Sequence, residues 1–482
     1  MQRAVYSQWM HKHATIIFLL ISLALLSGLV AGFASHYFWV ALLPVAGLAA
    51  ALFTLKPDWL YFSLLVLMPL SIEFEIGSFG TDLPSEPLLI GLAGLSFFWL
   101  IRRHSAELKE LLLHPFTLVL ALHLIWAFIC ILPSQNPTVS LKYALAKSWY
   151  IGGAFTGSYW IIRQFSQLKL SLWLLIFSTC ASIAFVMYEH YWDGFTFDSI
   201  GAACNPLYRN HVIYGVFMVM ILPFMVYLRP ITAKGSLIRL CLDIMLILLL
   251  AGTYFSYTRG AWLAIPVMIA MYWGIRWKLL RWFYPLGVIA GFLFFIFLAS
   301  DYKYLHYAPN YEQTIYHDEL GDHISATFEG KDMSTMERFH RWIAAFRMSK
   351  EYPVFGVGAN NFVDLYKPYT VSDFETYISD NEERSTVHNY FILMLVEQGY
   401  PGLFITLLLV GIFFIYAEKA YARFTDPAYR NFYMACILCS TSFWLNNLFS
   451  DLLEANKLAP LWFMCMAWMM RLEQWDKKTA SV

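Results

Sequence analysis

Residues 282–300 read WFYPLGVIAGFLFFIFLAS, 19 positions without a charged side chain. As a helix rising 1.5 Å per residue, such a run is about as long as the hydrocarbon core of a bilayer is thick. Comparable runs flank it, near 14–34, 37–55, 59–72, 86–101, 115–133, 148–165, 169–188, 210–228, 236–254, 260–275, 388–417, 431–450 and 458–471. The expected fold class is therefore an all-α polytopic membrane protein with about 12–14 transmembrane helices. Directly after residue 300 the character changes, and about 301–387 are polar. This long loop divides the chain into an N-terminal transmembrane bundle of about 11 spans (1–300), the loop with helical segments (301–387), and C-terminal transmembrane helices with a tail (388–482).

Composition agrees with that reading. Of the 482 residues, 59% are hydrophobic and only 14% charged, against about 25% charged in soluble domains. The formal net charge is zero, so no global field points to nucleic acid. All cysteines but Cys204 fall in expected spans, with no zinc or disulfide spacing. The N-terminal run lacks a small-residue cleavage site and reads as a retained first span. No internal repeat is visible.

Positive charges set the orientation. With the N-terminus in the cytoplasm, 20 Lys and Arg fall on inside segments and 5 on the short outside loops, namely Lys142, Lys147, Arg209, Arg259 and Lys457. The long loop then faces outward. So do the acidic loop 73–86, the aromatic loop 189–209 and the short turn before Arg259.

Soluble-type sequence concentrates in 334–402. Ser334 and Glu337 have capping-box spacing, and Met336, Phe339, Ile343 and Phe346 form an apolar stripe flanked by Arg338 and Arg341. An amphipathic helix over 334–350 follows. The stripe rests on the membrane interface or the bundle top. Pro353, Gly356 and Gly358 end the helix, and a short second helix is expected near 359–367. His388-Asn389 then opens a span carrying Gly399, Pro401 and Gly402, which break or kink it.

Three pieces in this order resemble the O-antigen ligase and Wzy-type polymerase superfamily of bacterial glycan transferases. They are Thr258-Arg259-Gly260-Ala261-Trp262; Arg338 and Trp342 with Pro353 and Gly356-Val357-Gly358; and His388-Asn389 with Gly399 and Gly402. The likeness covers about 205–417. It implies a polytopic enzyme of the bacterial inner membrane with its active face periplasmic. The implied donor is an undecaprenyl-diphosphate-linked glycan. The implied acceptor is lipid A–core, or another glycan or protein. No cofactor is implied: the transfer inverts the anomeric centre without a metal ion. Membrane lipids are partners and nucleic acid is not.

The residue chemistry fits. A diphosphate leaving group needs cations, and arginine forks match its oxygens; Arg259 and Arg338 are the catalytic candidates, against a headgroup anchor and a solvated helix charge. A neutral imidazole takes a proton from an attacking hydroxyl, so His388 is the candidate base. Arg209, His211, Asn389 and Arg341 are candidate substrate contacts, although Arg341 also reads as structural and Arg209 as a snorkelling anchor. Gly399 and Gly402 are structural candidates. Glu397 is a candidate arginine partner, Asp243 a mid-span charge needing a partner, and Glu189, His190 and Asp193 a weak metal set. Aromatics in 188–208 are candidates for stacking on sugars.

The ligase reading leads. Alternatives are a Wzy-like O-antigen or exopolysaccharide polymerase and a protein O-oligosaccharyltransferase. A lipid-linked glycan transporter is the remote one, because its charges belong near the midplane.

Overall fold

The computed structural model describes residues 56–76, 79–102, 106–300, 333–370 and 385–480. The expected spans 14–34 and 37–55, and loop residues 301–332 and 371–384, lie outside the described residues. The chain divides into two compact units, Met1–Tyr61 and Phe62–Val482. Of the first, only 56–61 are described.

The helices are α1 (Pro57–Leu67), α2 (Ser85–Arg102), α3 (Ala106–Leu113), α4 (Pro115–Ile129) and α5 (Pro137–Trp149). A π-helical stretch, Tyr150–Gly157, leads into the short α6 (Ser158–Ile161). There follow α7 (Phe165–Trp192), α8 (Phe197–Cys204), α9 (His211–Ile231), α10 (Leu237–Phe255), α11 (Arg259–Arg276) and α12 (Leu280–Ala299). The last are α13 (Met333–Glu351), α14 (Phe362–Leu365), α15 (Tyr390–Tyr421), α16 (Pro427–Asn446) and α17 (Leu458–Ala480). Side-chain oxygens of Asn136, Asn210, Ser236, Asn389 and Asp426 accept the free backbone N–H groups at the starts of α5, α9, α10, α15 and α16.

The protein is an all-α polytopic membrane protein. Among the described residues five helices, α2, α7, α9, α10 and α15, are long and apolar enough to cross a membrane. The pair α3 and α4, bent by 62°, makes a sixth if it counts as one span. Every expected span from 59–72 onward falls on helix, but fewer than expected pass that stricter measure. Helix α12 is apolar and largely exposed but counts only as the shorter stretch Leu280–Phe294; for α17 the reason is burial. From 458 to 474 every residue of α17 is buried, so this helix has no lipid-facing side that must be apolar, and it carries Arg471, Glu473 and Gln474. It runs beside α16 and the π-helical stretch, while α9 and α11 pack on α16 and α4 packs on α15.

Several boundaries differ from the sequence reading. The span near 59–72 stops at Leu67, and Ile72–Ile76 pairs with Phe79–Leu83 as antiparallel β1 and β2. Alternating Ile72, Phe74 and Ile76 with Glu73 and Glu75 is a strand period inside what reads as an acidic loop. The span near 148–165 is largely π-helix, and the span near 388–417 begins only at Tyr390.

Helix α13 spans Met333–Glu351, so the backbone of Ser334 falls inside it. Its buried face also differs from the expected stripe. Phe339 and Phe346 are only half-buried, whereas Ile343 of the expected stripe is buried together with Glu337, His340, Arg341, Ala344 and Met348. A buried polar face needs internal partners, and Arg341 meets Glu337 one turn back at 3.6 Å. Met348 and the small Ala344 and Ala345 fill the rest, and α13 packs on α15.

Candidate active site

The corner before α15 is built around a strained residue. His388 has φ 53°, a left-handed conformation that costs of order 1–3 kcal/mol in a side chain other than glycine. Its neighbours are tied on both sides. The Val387 carbonyl accepts Trp342 Nε1 from α13 at 2.9 Å. Asn389 caps α15 through Phe391 N and Ile392 N and donates Nδ2 to the Leu448 carbonyl at 3.0 Å. Tyr390 N donates to the Asn447 carbonyl at 2.9 Å.

Helix α13 lays two arginines against this corner. His388 keeps some accessible surface, yet it is set deep enough that burial is the largest influence on its proton, followed by Arg341 and Arg338. Together they push its pKa down to about 3. The imidazole is therefore neutral across the ordinary working range. His340 is pushed down to about 4 by burial, then by Arg341 and Arg347.

Arg259 reaches the same neighbourhood from the bundle. It is the first residue of α11. Thr258 Oγ1 donates to the His211 carbonyl at 2.9 Å, which ties the starts of α11 and α9 together, and Arg259 acts electrostatically on the His211 ring. Gly260 lies against Asn446 so closely that a Cβ there would meet the Asn446 side-chain oxygen. The start of α11 thus abuts the end of α16, and residues 447 and 448 just beyond hold Asn389 and Tyr390. Arg209, exposed before α9, acts electrostatically on Asp82 and Asp451. Burial raises the Asp451 pKa against a hydrogen bond from Thr386 and the pull of Arg209. Thr386 stands two residues before His388.

The break in α15 is a docking point. Gly399 has φ 72° and ψ −174°, backbone that a side chain adopts only under strain. The break frees carbonyls for other partners: Val396 and Glu397 accept Val357 N and Gly358 N at 3.0 Å each, and Gln398 accepts Trp126 Nε1 at 3.0 Å. Tyr400 N donates to Pro353 O at 2.8 Å. Gly402, further on, packs on Gln398 and Trp126. The Pro353–Gly358 turn is thereby seated in the middle of α15. Among the described residues Glu397 pairs with no arginine; its carboxylate accepts Asn360 N at 2.8 Å and Phe362 N at 3.2 Å.

Other candidates have structural partners. Asp243 is held by Arg229 at 2.7 Å and Arg239 at 3.5 Å. His190 contacts the Thr196 carbonyl at 2.9 Å and packs edge-on to Phe195.

Sequence reasoning missed the segment NNLFSDLLEANK, residues 446–457. Besides holding Asn389, Tyr390 and Thr386, it supplies Glu454 to Lys147 at 2.9 Å. It also supplies Asn456 to Tyr150, and Lys457 to the Ser71 carbonyl at 2.7 Å. Burial pushes Lys457 down to about 8 against Asp82 and Glu73. The signal available was polarity: a run this rich in Asn, Asp, Glu and Lys between two apolar helices is expensive unless each group is partnered.

These features define a polytopic helical membrane protein with a cationic, histidine-bearing corner where several helix ends meet. Residues 244–407 match the family described as O-Antigen ligase, which supports the O-antigen ligase and Wzy-type polymerase superfamily. The matched stretch contains Arg259, Arg338, Arg341, His388, Asn389, Gly399 and Gly402, but neither Arg209 and His211 nor the segment 446–457. No curated protein matches the chain. The family's chemistry is ligation or polymerisation of lipid-linked glycans.

Proposed function

We propose that this protein transfers a glycan from undecaprenyl diphosphate to an acceptor hydroxyl at the periplasmic face of a bacterial inner membrane. It is of the O-antigen ligase type, with lipid A–core as acceptor. The acceptor oxygen attacks the anomeric carbon and its proton passes to the imidazole of His388. The bond from that carbon to the diphosphate oxygen breaks, the electron pair leaves with the lipid diphosphate, and the anomeric configuration inverts. Arg259 and Arg338 grip the diphosphate and offset the developing charge, so no metal ion is required. Arg209, His211, Asn389 and Arg341 contribute to binding. The kink at Gly399 and Gly402 shapes the corner.

What supports this reading is a His388 imidazole kept neutral by burial and by Arg341 and Arg338, at the head of α15, together with the start of α11, which bears Arg259, lying against the end of α16. A helix N-terminus attracts phosphate oxygens. An imidazole with a pKa of about 3 is a weak base while its site is empty. Donor phosphates entering between the arginines cancel their field and raise its proton affinity.

The test is purified full-length protein incubated with lipid-linked glycan and candidate acceptors. A single shift of core lipid is the expected product. A ladder of repeat units would assign polymerase, and a modified protein would assign protein O-oligosaccharyl transfer. No transfer to any acceptor, with donor intact, would overturn the reading.

A further inference from the structure

Behind the corner lies an ion pair with one buried member, Lys147, and one partly exposed member, Glu454. The Lys147 side chain is 1% exposed and meets Glu454 Oε1 at 2.9 Å. Tyr143, one turn earlier on α5, donates to the same oxygen at 3.0 Å. The Lys147 ammonium also donates to the Leu453 carbonyl and to Tyr390 Oη, each at 3.5 Å. Tyr390 Oη in turn contacts His123 Nε2 on α4 at 3.5 Å. Asn447 closes the loop: its Oδ1 accepts Leu453 N at 3.2 Å, and its carbonyl accepts Tyr390 N at 2.9 Å.

Tyr390 follows Asn389, which follows the left-handed His388. Strained backbone persists only where its surroundings over-determine it. Burying an ion pair gains little net stability, since desolvation offsets attraction, and such pairs are often replaceable by apolar side chains without loss of fold. What this pair supplies is register: it locks α4, α5, the first turn of α15 and the segment 447–457 to one another at a single point.

We propose that Lys147 and Glu454 are positioning residues for the transfer reaction. They hold Tyr390 and Asn447, and through them Asn389 and His388, in the productive geometry without touching substrate. The catalytic part of this inference rests on the function proposed above.

The test uses full-length protein in detergent with both charges removed, K147M/E454M, and the near-isosteric E454Q. Three quantities are read: thermal stability, kcat against donor KM, and the rate at which diethylpyrocarbonate modifies His388, followed on its own peptide. The double variant is expected to keep its melting temperature while kcat falls about 10²-fold, the scale of an ångström-sized misplacement. Donor KM stays within about threefold, as for lost transition-state geometry and not lost binding, and His388 modification changes in rate. A folded double variant with wild-type kcat and wild-type His388 reactivity overturns the proposal. If the double variant fails to fold, E454Q, whose melting temperature is expected to fall because Lys147 loses its counter-charge, decides when labelled folded, well below its own melting temperature: altered His388 reactivity supports the proposal, and unchanged reactivity overturns it. His388 labelling needs no glycan transfer. Loss of the proposed function, seen as full activity in His388→Ala, is therefore distinguishable from loss of the positioning role.

Discussion

Asp243 and Glu454 are both carboxylates beside apolar helices, and they are held in opposite ways. Asp243 pairs with Arg229 and Arg239 where its side chain is 35% exposed and that of Arg229 50%. Glu454, whose own side chain is 29% exposed, pairs with a lysine that is only 1% exposed, and two tyrosines and a backbone carbonyl complete the network, so the difference from Asp243 lies in the partners. The first arrangement is screened by solvent and can rearrange cheaply. The second joins four chain segments, and removing one partner leaves a buried charge uncompensated. In sequence Asp243 looks the more consequential, because it stands inside an apolar run, whereas Glu454 looks like an ordinary loop acid. Burial and partners, not position in a run, decide which charge controls geometry.

The largest expected effect that sharpens this contrast lies at the corner itself. His388→Ala is expected to slow glycan transfer by about 10²–10⁴-fold, the range for a general base, in protein that still inserts. Arg259→Lys is expected to fail as well, because an ammonium cannot supply a guanidinium's paired hydrogen bonds; a mere headgroup anchor would tolerate lysine. Normal transfer by either variant in the purified assay breaks the distinction between a working end and a structural one.

A smaller effect concerns pH. The His388 pKa is lowered from its usual 6.5 to about 3, so between those values the unfolded chain binds a proton that the folded protein refuses. Stability contributed at this site is fully present above about pH 6.5, falls as pH drops through that window, and levels off below about 3. Thermal melts of wild type and His388→Gln across pH 4–7 are expected to show a flatter dependence in the variant. Parallel curves would mean that His388 is not held neutral.

The smallest effect belongs to Asp243→Asn. It is expected to leave both transfer rate and melting temperature within error of wild type. A large loss of activity there would erase the contrast drawn between the two carboxylates.

Much of this was legible in the chain. Charge-free runs near 20 residues gave the helical membrane architecture, and the ordered pieces around Arg259, Arg338 and His388 pointed to the family that residues 244–407 match. Three things were not legible, for physical reasons. Apolarity marks helices that face lipid, so it under-marks α17, which is buried among other helices and carries Arg471, Glu473 and Gln474. Periodicity marked the buried face of α13 only in part: Ile343 is buried, but Phe339 and Phe346 are half-buried while the Glu337–Arg341 ion pair is inside. Residues 446–457 act through tertiary partners far away in sequence, Lys147 and Ser71 among them, and local pattern carries no trace of those partners.

The central claim is that Arg259, Arg338 and His388 face one diphosphate. The most direct measurement is photo-cross-linking of the full-length protein with an undecaprenyl-diphosphate glycan analogue carrying a photoreactive group next to the diphosphate, followed by peptide sequencing. Adducts on the peptides bearing Arg259, Arg338 and His388, all suppressed by excess natural donor, are the predicted result. Competable adducts confined to other peptides, with none on those bearing Arg259, Arg338 or His388, would contradict it.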